Sequence, residues 1–144
     1  MAKTSNQKLK ILYVAKILME ETDEDHPLTM NELIAKLHSY GINAERKSVR
    51  IDVEELRGFG VDIIGERRWG TFIYYIGSRQ FELAELKLLV DSVQSAKFIT
   101  EKKSKELIKK IETLTSKNMA GQLDRQVYVA QRIKTMNESN GRKR

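Results

Sequence analysis

The chain has no cysteine, one proline, one tryptophan and two histidines among its 144 residues. Without cysteine, disulfide scaffolds, thiol catalysis and cysteine-based zinc sites are excluded. The histidines, His26 and His38, lie far apart. His26 follows Asp23 and Asp25, but no second histidine or closed ligand set accompanies it, so a solvated acidic loop is expected there and no metal site. A single proline and few glycines argue against long disordered linkers. No apolar run approaches the ~20 residues that span a bilayer. Residues 1–6 lack the apolar stretch of a signal peptide. A cytoplasmic chain with no membrane partner is the expectation. Gly58-Phe59-Gly60 follows a helical pattern instead of opening one, so it is no phosphate loop. No serine is flanked as in a nucleophile elbow. Hence no catalytic residue and no cofactor is assigned, and a non-enzyme is expected.

What is present is charge, and its placement matters more than its sum. There are 26 Lys/Arg and 20 Asp/Glu, a formal net charge of +6. Residues 1–79 hold 12 of each, a net of zero, while residues 80–144 hold 14 basic and 8 acidic, the whole excess. Net charge alone would put a polyanion-binding site in the second half. Local patterns point to the first.

Residues 8–21 read as an amphipathic helix with Leu9, Leu12, Tyr13, Lys16 and Ile17 on its face, widened by Ile11, Val14 and Leu18. The acidic run to Pro27 is a loop. A second helix opens at Leu28-Thr29, where Thr29 and Glu32 form a capping box, and it buries Met30, Leu33, Ile34 and Leu37. Gly41 suits a left-handed C-cap. A third helix is expected from about Ala44 to Arg57, capped by Asn43 and stopped by Gly58 and Gly60. Val61–Ile64 and Thr71–Ile76, rich in β-branched and aromatic residues, read as a hairpin around Arg68-Trp69-Gly70. Helix, helix, turn, helix, hairpin is the order of a winged helix-turn-helix. Further helices are expected over residues 81–98 and from Glu101 to about Thr115, with Thr100 as N-cap. Residues 119–132 are ambiguous, with Val127–Val129 a candidate short strand, and residues 137–144 read as a disordered tail.

On a helical wheel centred on Val49, Val53 and Leu56 fall within about 40°, which defines the buried face at ~100° per residue. Asp52 lies beside that face. Lys47, Arg50 and Ile51 point away, with Ser48 at the edge, and no acidic residue follows on the outer face before Glu54. A recognition helix presents its first turns to base edges in the major groove. Arg50 suits guanine O6 and N7, and Ile51 a thymine methyl. Arg46 and Lys47 suit phosphates, aided by the positive helix end. At the hairpin tip, Arg67 and Arg68 suit phosphate or the minor groove. The plain alternatives are solvated cations on an exposed face and an ordinary turn with a packing tryptophan.

The stretch Gly41 to Leu56, above all Arg46-Lys47-Ser48-Val49 followed by Asp52, resembles the helix-turn-helix of DeoR-like, WYL-domain transcriptional regulators. Phe81–Asp91 and Lys97–Ser104 look like the helical segment after the wing in such proteins from Gram-positive bacteria. The resemblance spans roughly residues 8–138. It implies a mainly α fold with a small β-hairpin, in which a winged helix-turn-helix over residues 1–79 is followed by a helical linker or dimerisation segment over residues 80–135. It implies a sequence-specific regulator that binds double-stranded DNA as a homodimer; a repressor on a pseudo-palindromic operator is the expectation drawn here. Base readout falls to Ser48, Arg50 and Ile51, and phosphate contact to Arg46, Lys47, Arg67 and Arg68. Family members continue into a ligand-sensing WYL domain, which would begin near Met136–Asn140, and this sequence, which runs to Arg144, is expected to be a piece of a longer chain or a short relative. Ligand sensing is therefore not carried over. The competing reading is a winged-helix protein-interaction module that pairs with full-length relatives.

Overall fold

A computed structural model describes residues 2–125 and Val127, with side chains from Gln7 onward. The protein is mainly helical with one small antiparallel sheet. In chain order the elements are α1 (Ala2–Glu21), β1 (Leu28–Thr29), α2 (Met30–Ser39), α3 (Arg46–Phe59), β2 (Ile63–Arg68), β3 (Thr71–Ile76), α4 (Leu83–Ser95) and α5 (Glu101–Glu112). Residues 117–125 are also helical. The chain divides into two compact units after Arg79. No helix among the described residues is long and apolar enough to cross a membrane.

In the first unit α2 starts as its sequence dictates. Thr29 Oγ1 accepts from the Glu32 backbone N–H, and the Glu32 carboxylate accepts from the Thr29 N–H, each at 3.2 Å. That closes the capping box and satisfies two helix-end donors. Met30, Leu33 and Leu37 are buried, and Gly41 takes φ 77°, a conformation that only glycine adopts without strain. Ile42, only 1% exposed, then anchors the connection to α3. That anchor explains why α3 begins at Arg46 and not at Ala44. The chain stays extended through Glu45, the N-cap, which makes no side-chain cap bond. Asn43 instead uses its carbonyl to accept from Gln7 Nε2 at 3.0 Å. At the other end α3 runs through Gly58 and stops at Gly60, φ 121°.

Two expectations change. The hairpin gains a third strand, because Leu28–Thr29 pairs with Ile73–Tyr74 to give the order β1-β3-β2. A two-residue strand is too short to leave a period-2 pattern. In α1 the buried face is Lys10, Val14, Ile17 and Leu18, while Leu9 and Leu12 are exposed. From Leu9 to Met19 this helix carries apolar residues almost all round, so the periodicity does not single out a face. The partner does: Lys10 pairs with Asp52 of α3, and both side chains are largely buried. The pair fixes α1 against α3. Val14, Ile17, Leu33, Leu37, Val49, Val53, Ile63, Tyr74 and Ile76 belong to one continuous core joining three helices and the sheet.

The acidic loop is more ordered than expected. Asp23 is buried, its Oδ1 accepting from the Asp25 N–H at 3.0 Å and lying 2.8 Å from His26 Nδ1. Thr22 Oγ1 donates to the Leu18 carbonyl and accepts from the Ile76 N–H, tying the end of α1 to β3. Arg79 donates to the Met19 and Thr22 carbonyls at 2.7 and 2.6 Å and so caps α1, whose last carbonyls have no intrahelical partner. At the hairpin base the Ser78 N–H and hydroxyl both donate to Asp62 Oδ2, which holds that carboxyl below its usual range.

The second unit is smaller in its core. Leu86 and Val90 of α4, Ile108 and Ile111 of α5, and Leu123 form its buried cluster. Glu82 caps α4 through a box with Glu85, and Thr100 caps α5 by accepting from the Lys103 N–H. Both helices are shorter than their patterns suggested, ending at Ser95 and Glu112. Val127 is helical and packs on this cluster, so it is no strand residue. Tyr128, Val129 and the expected tail lie outside the described residues.

Candidate nucleic-acid interface

The sheet register sorts the hairpin residues onto two faces. Antiparallel partners share a face and neighbours along a strand alternate. Ile63, Gly65 and Arg67 lie opposite Ile76, Tyr74 and Phe72 on the face that joins the helical core. Ile64, Glu66 and Arg68 lie opposite Tyr75, Ile73 and Thr71 on the reverse face. Adjacent in sequence, Arg67 and Arg68 therefore project to opposite sides.

On the core side, α3 and the hairpin enclose a cleft of about 570 Å³ lined by residues including Arg46, Arg50, Arg57, Phe72 and Tyr74. Its floor depends on Gly65. A Cβ there would lie 3.0 Å from both Arg57 Nη2 and Phe72 Cε1. Arg57 Nε donates to the Ile63 carbonyl at 2.8 Å, and its guanidinium pairs with Glu54, which fastens the last turn of α3 to β2. Phe72 meets Tyr74 edge-on at 5.2 Å and remains 46% exposed. Beside the cleft, Lys47, Arg50, Ile51, Glu54 and Glu55 form a shallow depression on the outer face of α3.

The cations of this unit fall into two groups. Lys10 is bound to Asp52, Lys36 to Glu21, Arg57 to Glu54, and Arg79 to the end of α1. Arg46 donates to Asn31 Oδ1, and Lys16 lies over the Tyr40 ring. Arg68 is the most engaged. It donates to Glu66 and to the Glu24 carbonyl, and it lies against the rings of Trp69 and Tyr75. Bonding to Glu66 and the Glu24 charge hold its guanidinium pKa further up, and burial foremost raises the Tyr75 phenol. In contrast, Lys47, Arg50 and Arg67 are exposed and bond to no partner among the described residues. Lys8 on α1 is the other such cation with a described side chain in this unit.

Of the residues singled out in the sequence, Lys47, Ser48, Arg50 and Ile51 share the first turns of α3, with Ile51 52% exposed and Ser48 half-buried. Arg46 joins them at the cleft, and Arg67 sits on the same side of the sheet. Arg68 does not join them. The acidic loop borders the reverse face through Glu24, away from α3. Sequence reading missed Phe72 and Arg57 as cleft residues. The exposed aromatic directly opposite Arg67 in the hairpin was the available signal for Phe72. Comparison with protein-family models, with curated proteins and with solved structures finds no match for this chain. Among the described residues no group of three or more histidine, cysteine or acidic side chains is placed to hold a metal ion.

Proposed function

We propose that this protein is a sequence-specific DNA-binding regulator of the winged helix-turn-helix class. α2 and α3 form the helix-turn-helix, α3 enters the major groove, and the β2–β3 hairpin is the wing. The observation that carries the reading is the sorting of cations: Lys47, Arg50 and Arg67 are left free on one side, while Lys10, Lys16, Lys36, Arg57, Arg68 and Arg79 are engaged within the unit and Arg46, at the cleft, gives one N–H to Asn31. A set of unneutralised charges at the start of a helix, flanked by an exposed Ile51, is what base and phosphate contact requires. Arg50 and Ser48 read bases, Ile51 meets a methyl, and Lys47, Arg46 and Arg67 hold phosphates. The protein acts as a repressor and binds as a homodimer through its α4–α5 unit, where Leu88 is 66% and Phe98 95% exposed. Two α3 helices then address half-sites about 34–36 Å apart.

Selection of bound duplexes from a random pool tests this, with sedimentation alongside. An enriched motif with twofold symmetry and a dimer are expected. Binding weakens with salt at a log–log slope near −0.9 for each phosphate contacted. A monomer that enriches no motif contradicts the reading and favours a protein-interaction module.

A further inference from the structure

The hairpin tip breaks a local rule. β2 and β3 are joined by Trp69 and Gly70, with φ 55° and 77°. Positive φ at both loop residues is the type I′ turn, which prefers Asn-Gly. A bulky residue is strained in the left-handed region, and such strain persists where the surroundings impose it. No core burial offsets it here, because Trp69 is 79% exposed. The ring is nonetheless held. The Arg68 guanidinium lies 5.4 Å from the Trp69 ring centre and 5.2 Å from that of Tyr75. Glu66 and the Glu24 carbonyl accept from that guanidinium and hold it in place. Arg67, free and exposed, stands beside it on the opposite face.

We infer that Trp69 is the group through which the wing engages DNA, its indole packing on a base step from the minor groove. Arg68 is its positioning residue, and Arg67 supplies the charge that draws the tip to phosphate. The inference rests on the DNA-binding reading. Apolar side chains wedge between base steps in the minor groove, and pyrimidine–purine steps unstack most easily. A flat ring fixed at the end of a rigid two-stranded projection, next to a free cation, has the shape and charge for that contact. An Arg68 consumed by Glu66, Glu24 and two rings serves the ring and not a phosphate.

Trp69 is the sole tryptophan, so its emission reports this contact directly. The full chain is titrated with a fluorescein-labelled duplex carrying its selected motif. Anisotropy reads binding, and tryptophan emission with acrylamide quenching reads the ring. The expected result is quenched emission and lost acrylamide access at saturation. Trp69→Asn, which keeps a favoured turn pair, weakens binding roughly five- to 150-fold with an unchanged or higher Tm, and Trp69→Phe retains most of the affinity. Arg68→Ala increases acrylamide access to the ring in the free protein. Duplex binding with unaltered Trp69 emission, or a Trp69→Asn variant that binds like the parent, overturns the inference and leaves the DNA reading standing. Failure to bind any duplex overturns both.

Discussion

The two halves of this chain invert the usual use of net charge. The first unit is neutral overall, and its charges are sorted: ion pairs fasten α1 to α3 and α2 to α1, and Arg57 ties α3 to β2 by donating to the Ile63 carbonyl, leaving free cations chiefly beside the outer turns of α3. The second unit carries the full +6, yet α5 intersperses Glu101 and Glu106 among its lysines and pairs them along the helix surface. Such exposed pairs contribute little to stability and do not focus a field. The cores differ too. Fourteen buried residues knit the first unit, and five the second, among the described residues. Arrangement, and not sum, separates the proposed binding face from a solvated one.

The largest effect expected from breaking this contrast is at the Lys10–Asp52 pair. Asp52→Ala leaves a buried ammonium unpaired and costs about 3–5 kcal/mol by chemical denaturation. Replacing both residues with apolar ones of similar volume restores most of that. In the second unit Leu86, fully buried, is expected to cost about 2–5 kcal/mol when cut to alanine, severe for so small a core. Next comes the interface. Arg50→Ala loses about 1–3 kcal/mol of affinity for the selected site and relaxes its specificity, whereas Lys47→Ala weakens all sequences alike.

Acid and neutral pH affect the two units in opposite directions. Asp62, held low by Ser78, stabilises the first unit above the unfolded carboxyl pKa of about 3.9, and that contribution is lost as pH falls through its folded value. Asp62→Asn removes this acid dependence. Glu112 in the second unit is raised by burial and by Asp124, against Lys109, to about 7. Its neutral form suits the fold, so stability present at pH 4.5 declines as pH rises through 7. Solvent screening holds the effect to about 1 kcal/mol. Glu112→Gln flattens thermal stability between pH 5 and 8, the smallest of the expected changes.

Local rules made much of this legible. The Thr29–Glu32 box, the Val49, Val53 and Leu56 stripe and the exposed outer turns of α3 follow from short-range spacing. What escaped was non-local. Lys10 meets a partner 42 residues away, and Arg68 meets the Glu24 carbonyl 44 residues away. No periodicity encodes such contacts. Thus the side of α3 was readable, but the separation of Arg67 from Arg68 needed the strand register.

The most direct test sets charge position against charge number. The full chain is compared, on its selected duplex, with a Lys47→Ala/Arg50→Ala variant and with one in which Lys102, Lys103, Lys109 and Lys110 are all glutamine. The double variant should abolish the preference for the selected sequence over a random duplex, and the quadruple variant should keep it despite losing more charge. A double variant that keeps sequence preference, with a quadruple variant that loses it, would contradict the assignment of DNA reading to α3.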